Sequence, residues 1–242
     1  MAKPAVCSDP SFGAHRGGSA DAAGDSDLAF ERSYAAGARN EDTDIRFTSD
    51  DQPILLHEPS FADFGHPEAL AADTPLATAQ TYAATDGGKV WTLPQFAAWL
   101  VDRSAVTLTT AELKTHPTEA EYQTLTTDLA PVRSRVAVVS FTGSDLPPMA
   151  QAGFRTGLIY STASWSPSKD VSVSTIGSYG TLAQIDLNNL SASLVTQLRA
   201  EGVATIESWV NPGAAQYLRN PAGVIPLVDD VPGYLAWRKA NC

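Results

Sequence analysis

The feature of this sequence that most constrains its fold is a regular alternation between short apolar segments and segments with the 3.6-residue period of an amphipathic helix. The apolar segments that predict strands are 11–15, 44–47, 54–57, 106–114, 136–141, 156–160, 182–187, 203–210 and 224–229. The segments that predict helices are 28–36, 93–102, 119–129, 192–201, 212–219 and 232–239, with a further short turn of helix ending at 150–153. Such alternation implies a parallel sheet, and about eight strand–helix units fit a closed (β/α)8 TIM barrel.

A doubly wound open sheet is the alternative fold for the same alternation. Its dinucleotide-binding members carry a G-x-G-x-x-G turn after the first strand, and no such turn follows residues 11–15. The motifs G-x-x-x-x-G-K-[ST], H-E-x-x-H, C-x-x-C and G-x-S-x-G do not occur in the sequence either. Nicotinamide-dependent, ATP-dependent, zinc-protease and serine-hydrolase functions therefore have no support, and we favour the barrel.

The length of 242 residues matches one barrel. We therefore predict a single domain over residues 1–242, with residues 58–90 as a small insertion after the second strand. Residues 60–89 are rich in Gly, Ala and Thr and have no clear period. Residues 164–178 are polar and predict a long loop.

The charge balance limits the possible partners. The chain has 16 Lys and Arg residues against 27 Asp and Glu residues, a net charge of −11. This acidity excludes nucleic acid and anionic membranes, because both bind basic surfaces. No run of about 18 apolar residues is present to span a bilayer. We expect a monomer that acts on a small molecule, with no stable membrane association.

The two cysteines lie near opposite ends of the chain, at Cys7 and Cys242. They are either two free thiols or a disulfide that joins the ends, and the closeness of domain termini favours the disulfide. Such bonds persist in secreted proteins. Residues 1–4 lack the apolar stretch of a signal peptide, so we expect a mature secreted domain with a new start Met.

Acidic side chains cluster where the predicted strands end, which is where a barrel carries its functional residues. Asp42 and Asp44 lie two residues apart, so their side chains leave the same face of a strand. Glu112 ends a later strand. Three carboxylates on neighbouring strands suit a hard cation, Ca²⁺ or Mg²⁺, and nearby histidines leave Zn²⁺ or Mn²⁺ open.

Basic side chains and imidazoles occupy the same strand ends. His15 and Arg16 end the first strand, His57 ends a later extended segment, and Lys114 shares a face with Glu112. Two imidazoles can serve as a general acid and a general base near neutral pH. Arg16 and Lys114 are suited to hold a phosphate, Arg as a fork and Lys as a point charge.

Each of these features is weak when taken alone. A lone histidine is usually an ordinary polar residue, which is our interpretation of His66 and His116, since each is next to a proline in a predicted loop. A D-x-D pair is usually a solvated turn. Four motifs nevertheless occur together, in order at consecutive strand ends, and this joint occurrence favours a catalytic site. They are His15-Arg16-Gly17-Gly18, Asp42-Thr43-Asp44, His57-Glu58 and Glu112-Leu113-Lys114.

The motifs occur together with others along the chain. They are HRGG at 15–18, LAFER at 28–32, GA at 37–38, DTD at 42–44, HE at 57–58, ELK at 112–114, VSF at 139–141, WVN at 209–211 and DVP at 230–232. In this order and spacing the sequence resembles the glycerophosphodiester phosphodiesterase family. The resemblance covers nearly the whole chain, and it is specific over residues 13–58 and 111–114 and loose after 145.

The resemblance implies the same barrel and a metal-dependent cleavage of glycerophosphodiesters such as glycerophosphoethanolamine or glycerophosphocholine. By similarity to the family, the three carboxylates hold the metal, and the two histidines act as acid and base in an order left open. The two cationic side chains contact the phosphate where charge accumulates. The attacking group is either water or a neighbouring glycerol hydroxyl, and the resemblance leaves both this choice and the P–O bond that breaks undecided.

The sequence departs from the family at several of these positions. The family's P-E-N-T segment is residues 23–26 here, which puts Gly24 in place of its Glu. Asp42 replaces a metal-binding Glu with a side chain one methylene shorter, and Glu58 replaces the Asp that follows the second His. Ser208 or Trp209 occupies the position of the family's late Trp.

Residues near the later strand ends are candidates for contacts with the headgroup. Glu207 or Asp186 could face a cationic amine, although a structural hydrogen bond is an equal interpretation for each. Trp209, Tyr160 and Trp165 could form an apolar wall or a cation–π contact. Plain packing explains aromatic residues at strand ends equally well.

Two other functions remain open at this stage. One is a lipid hydrolase of the lysophospholipase D or sphingomyelinase D type, which needs an apolar groove for an acyl chain. The other belongs to a different class, a non-catalytic binding protein on the same barrel. The divergent P-E-N-T segment supports it, and the retained histidines and carboxylates oppose it.

Overall fold

The structure is a computed structural model that describes residues 3–9 and 11–242. Residues 1, 2 and 10, which the predicted domain includes, lie outside the described part. The strands are β1 (Gly13–Ala14), β2 (Asn40–Phe47), β3 (Pro53–Leu55), β4 (Ser60–Phe61), β5 (His66–Leu70), β6 (Leu108–Leu113), β7 (Val136–Ser140), β8 (Arg155–Tyr160), β9 (Leu182–Ile185), β10 (Thr205–Val210) and β11 (Ile225–Val228). The helices are α1 (Asp27–Ala36), α2 (Leu76–Ala79), α3 (Leu93–Asp102), α4 (Glu119–Leu129), α5 (Pro147–Gln151), α6 (Val173–Ser178), α7 (Ala192–Ala200), α8 (Ala214–Tyr217) and α9 (Val231–Asn241).

Eight parallel strands close into a barrel in the order β1, β2, β6, β7, β8, β9, β10 and β11. Closure is made by β1, which pairs with β2 on one side and with β11 on the other. Helices connect the successive strands, so the predicted TIM barrel is confirmed and the open sheet is excluded. In this fold the carboxyl ends of the strands carry the functional residues.

The segment after the second barrel strand leaves the barrel. β3 pairs antiparallel with the far end of β2, with Ile45 opposite Leu55, so the predicted strand 54–57 is not part of the closed sheet. β4 and β5 form a separate two-stranded sheet. A small core that includes Phe61, Phe64 and Val90 packs these elements together. The segment that we predicted as an insertion, residues 58–90, therefore has apolar packing of its own.

Helix caps explain why two predicted helices have the observed bounds. Thr92 and Thr118 each accept a hydrogen bond from the third residue of the helix, and Gln95 and Glu121 reach back in capping boxes. These caps begin α3 and α4 at the predicted residues. By contrast, the predicted loop 164–178 contains α6, whose six residues are too few to show a helical period.

The two ends of the chain are joined. Cys7 and Cys242 form the predicted disulfide, with their Cα atoms 5.4 Å apart and a sequence separation of 235. Near it, the Phe12 ring lies 5.4 Å from that of Tyr234 in α9, and Arg238 donates to the carbonyl oxygen of Asp9. In the chain-entropy model a bond across so long a segment stabilises the fold by about 5 kcal/mol.

Among the helices described, none is both long and apolar enough to cross a membrane.

Candidate active site

Four strands each place two side chains, two residues apart, toward the inside of the barrel. This spacing follows from the period of a strand, in which alternate side chains share a face. The pairs are Asp42 and Asp44 on β2, Thr110 and Glu112 on β6, Gln184 and Asp186 at the end of β9, and Glu207 and Trp209 on β10. The pairing register sets Asp42 opposite Thr110, Asp44 opposite Glu112 and Gln184 opposite Glu207. The barrel interior therefore holds two polar layers near the carboxyl ends of its strands.

A cavity of about 350 Å³ opens above these layers. Its charged side is lined by His15, Arg16, Asp42, His57, Glu112 and Lys114. Its aromatic side is lined by Phe141, Ile159, Trp165, Trp209 and Leu227, with Gln184 and Asp186 between the two sides. The sequence predicted all six residues of the charged side, and on the aromatic side it predicted Trp165 and Trp209. Tyr160 does not line this cavity.

His15 is hydrogen-bonded to one carboxylate through Nδ1 and has a second carboxylate near Nε2. Its Nδ1 lies 2.7 Å from Asp229 Oδ1, and its Nε2 lies 3.9 Å from Asp42 Oδ2. Ser19 donates to the same oxygen of Asp229 at 2.7 Å. Although burial opposes it, the hydrogen bond from His15 lowers the pKa of Asp229. Asp229 thus remains a carboxylate that fixes the tautomer of His15, with Nε2 turned toward the cavity.

His57 is held through its ring and through its backbone. Its Nδ1 lies 2.7 Å from Glu58 Oε1, and Arg46 donates two hydrogen bonds to its carbonyl oxygen. Burial lowers the pKa of His57, against the opposing effect of Asp44. The imidazole is therefore neutral near pH 7, with Nε2 free to accept a proton.

Asp44 lies behind the cavity wall, between two cationic side chains. Arg16 Nε is 3.2 Å from its Oδ2, and Lys114 Nζ is 3.3 Å from its Oδ1. Burial alone would raise the pKa of Asp44, but Lys114 and Arg16 together hold it well below its usual value. Arg16 has the left-handed backbone conformation, with φ of 51°, and two glycines with positive φ follow it. This turn brings the guanidinium back over the end of β2.

Glu112 is buried beside Asp44 and Lys114. Its Oε1 is 2.8 Å from Lys114 Nζ. Burial, together with repulsion from Asp44, raises the pKa of Glu112 to about 8. The ammonium of Lys114 acts in the opposite direction and offsets part of this increase.

The chain resembles known proteins in sequence and in fold. The sequence model of the glycerophosphoryl diester phosphodiesterase family matches residues 15–234, from the first catalytic candidate to the last helix. The chain belongs to this family. It is accordingly a phosphoric diester hydrolase with glycerophosphodiester phosphodiesterase activity. A search of curated proteins gives no significant match.

Solved structures share the fold at low sequence identity. A candidate glycerophosphoryl diester phosphodiesterase from Silicibacter pomeroyi has a TM-score of 0.79 and 17% identity, over 96% of this chain and 95% of that one. The Thermotoga maritima glycerophosphodiester phosphodiesterase has a TM-score of 0.74 and 18% identity, over 95% and 99%. An Oleispira antarctica phosphodiesterase, solved with the product sn-glycerol-3-phosphate, has a TM-score of 0.73 and 15% identity, over 96% and 97%.

The carboxylates predicted to hold a divalent metal fit that role by their chemistry. Asp42, Asp44 and Glu112 are hard oxygen donors on two adjacent strands. The buried Oδ2 of Asp44 accepts no hydrogen bond. Within the described residues, no three Asp, Glu, His or Cys side chains are gathered as a metal group, and Lys114 Nζ contacts both Asp44 and Glu112. By the chemistry of its oxygen donors, the set nevertheless fits a hard cation.

A second cavity, of about 390 Å³, adjoins the first and shares Arg16 and His57 with it. It lies between residues 19–24 and the region 57–86. Gly24, at the position of the family's Glu, faces it. A Cβ on Gly24 would lie 3.2 Å from the Cβ atoms of both Arg16 and Ser19, so a side chain there would crowd the turn that carries Arg16.

The structure corrects one predicted role. Glu207, expected to contact a headgroup, is completely buried and does not line either cavity. It lies one layer deeper, where burial and the nearby Asp42 raise its pKa to about 8. An amine could not reach this carboxyl without opening the barrel. Asp186 does line the cavity, where Ser161 and the backbone NH of Asn188 donate to its two oxygens.

Among the residues of the site that were not identified from the sequence are three that hydrogen-bond to predicted ones or to their strand. Asp229 orients His15, and Gln184 donates to Asp42. Asp25, fully buried, accepts from the backbone NH of Asp44 and from the Thr43 hydroxyl. The one available signal for Gln184 was its spacing of two residues from Asp186, which repeats the spacing of Asp42 and Asp44. Nothing in the sequence pairs Asp229 or Asp25 with these partners.

Proposed function

We propose that this protein is a metal-dependent hydrolase of small glycerophosphodiesters such as glycerophosphoethanolamine or glycerophosphocholine, with His15 and His57 as its acid and base. The observation that carries the proposal is the cavity that brings both imidazoles together with Arg16 and Lys114. These side chains come from three separate segments of the chain. Their convergence supplies two proton-transfer groups and two phosphate ligands in one place.

Arg16 and Lys114 bind the phosphate in this proposal. Both line the cavity, and both pair with Asp44, which lies behind the cavity wall. A buried carboxylate that pairs with two cations fixes their positions before the substrate arrives. Cationic groups that need no reorganisation stabilise the charge that builds on phosphate oxygens during cleavage.

Asp42, Asp44 and Glu112 would hold the divalent cation. Carboxylate oxygens alone favour Ca²⁺ or Mg²⁺, and the adjacent histidines leave Zn²⁺ and Mn²⁺ possible. Bound there, the cation would neutralise phosphate charge and favour ionisation of the attacking hydroxyl.

The environments of the two histidines suggest their roles. His57 is neutral because burial lowers its pKa, so it takes the proton from the attacking water or glycerol hydroxyl. His15 is the other imidazole of the cavity, and in this proposal it protonates the leaving alcohol. General acid–base catalysis of this kind contributes about 10²–10⁴-fold each.

A lipid substrate is a second candidate, favoured by one observation. Phe141 contacts Trp165 and Trp209 edge-to-face, at 5.2 and 6.4 Å between ring centroids, and Trp165 is 65% exposed. An aromatic surface that continues to the cavity mouth would accept the acyl chain of a lysophospholipid.

The disulfide between Cys7 and Cys242 supports a secreted enzyme, because such bonds persist in oxidising compartments.

One assay tests these alternatives. The purified protein is incubated with glycerophosphoethanolamine, glycerophosphocholine and lysophosphatidylcholine, with Ca²⁺ or Mg²⁺ and with chelator, and both products are identified. We expect cleavage of the small diesters that stops with chelator. Preferred cleavage of the lysolipid would support the second candidate. If the cation-loaded protein releases product from none of these substrates, the remaining candidate is a non-catalytic binding protein.

A further inference from the structure

A single buried amide connects two carboxyl groups on opposite sides of the barrel. Gln184, on β9, is 4% exposed. Its Nε2 donates to Asp42 Oδ1 at 2.8 Å and to Glu207 Oε2 at 3.2 Å. The two hydrogens of one amide nitrogen are thus divided between a carboxyl on β2 and a carboxyl on β10. Glu207 is its neighbour in register, whereas the bond to Asp42 crosses the barrel interior.

The contacts of Asp42 are distributed unequally between its two oxygens. Oδ1 accepts from Gln184 and also from the Thr110 hydroxyl, each at 2.8 Å. Oδ2 accepts no hydrogen bond and has His15 Nε2 at 3.9 Å as its charged neighbour. Two donors on one oxygen fix the rotation of the carboxylate. The remaining oxygen is thereby directed at the cavity.

We propose that Gln184 is a positioning residue, which together with Thr110 holds Asp42 so that Oδ2 is presented to the cation and to His15. This inference rests on the proposed metal-dependent function. The residue at 42 is an Asp, so its carboxylate sits close to its own strand and has few torsions with which to adapt. Groups that orient a metal ligand through hydrogen bonds control metal affinity without touching the metal.

Glu207 completes the arrangement from below. Its Oε2 takes the second hydrogen of Gln184, and its Oε1 is buried without a hydrogen-bond partner. A second hydrogen bond prevents the amide from turning away from Asp42. Since the contact uses only an oxygen acceptor, a neutral amide at position 207 should preserve it.

Titration calorimetry with Ca²⁺ and with Mn²⁺ tests the proposal on the complete protein. Gln184→Met keeps the length of the side chain and removes both donors, so we expect cation affinity to weaken about 10–100-fold. Diester cleavage at limiting cation should fall in parallel and recover at saturating cation, a rescue that a merely structural defect does not show. Thr110→Val removes the other donor and should weaken affinity in the same way, which covers a failure of the first variant to fold.

One further variant acts as a control. Gln197→Met changes an exposed glutamine outside the site and should bind cations like the wild type. Wild-type affinity in both Gln184→Met and Thr110→Val would overturn the positioning role alone. Absence of cation binding by the wild type would instead overturn the metal-dependent function, and the positioning role with it.

Discussion

The charged side and the aromatic side of the cavity are built differently. On the charged side each functional group is paired with another charge: His15 with Asp229, His57 with Glu58, and Arg16 and Lys114 with Asp44. On the aromatic side, rings touch one another edge-to-face and leave Trp165 largely exposed. Paired charges have defined geometry, whereas exposed rings adapt. We infer that the charged side performs the chemistry and that the aromatic side accommodates the alcohol arm of the substrate.

The largest expected effect comes from removing one imidazole of the charged side. His57→Asn removes the proposed base, so kcat/KM should fall about 10²–10⁴-fold. Steady-state assays with glycerophosphocholine measure it. His116→Asn is the matched control, because His116 is an exposed residue that pairs with Asp145 outside both cavities. Equal losses in the two variants would contradict a catalytic role for His57.

The next effect concerns the orientation of His15. Asp229→Asn keeps the shape of the side chain but removes the charge that fixes the imidazole tautomer, so kcat should fall about 10²-fold or more with little change in KM. Asp230→Asn is the control, because Asp230 caps α9 and Asn is an equally good cap. If the control lost as much activity, the effect would belong to the helix and not to His15.

The two sides also differ in how well the sequence predicted them. The charged side was predicted in full because its residues fall at two-residue spacing or at strand ends, such as Asp42 with Asp44 and Glu112 with Lys114. These are local relations that the strand period fixes. The family resemblance is also most specific over these residues, 13–58 and 111–114.

Contacts made by barrel closure could not be predicted in the same way. The His15–Asp229 pair spans 214 residues and the Asp42–Gln184 bond spans 142. The first depends on the pairing of β1 with β11 that closes the barrel, and the second on which strands face each other across it. The burial of Glu207 could not be predicted for a similar reason. The sequence placed this residue near a strand end without showing how far its carboxyl lies below the cavity.

A smaller effect is expected on the aromatic side. Trp165→Ala should raise KM for glycerophosphocholine about two- to fivefold, the size of an exposed cation–π contact, and leave kcat unchanged. The control is Leu218→Ala, which removes another exposed apolar side chain that does not line the cavity. A fall in kcat, with KM unchanged, would mean that the aromatic side takes part in the chemistry.

The smallest effect is a displacement of the pH profile that assigns the role of His57. Glu58 bonds to His57 and acts to raise its pKa, against the larger effect of burial. Glu58→Gln removes this contribution, so the pKa of His57 should fall further. If His57 is the base, it must be neutral to act, and the acid limb of kcat/KM moves to lower pH while the basic limb stays. Movement of the basic limb instead would make His57 the acid and His15 the base.

The control for this measurement is Glu68→Gln. Glu68 Oε1 lies 3.4 Å from His66 Nδ1, in a pair that neither cavity includes. It reproduces the loss of one carboxylate next to a histidine and the same change in net charge. Neither limb should move in this variant. A displacement common to both variants would reflect the field of the whole protein, whereas one confined to Glu58→Gln reports on His57 and on the charged side alone.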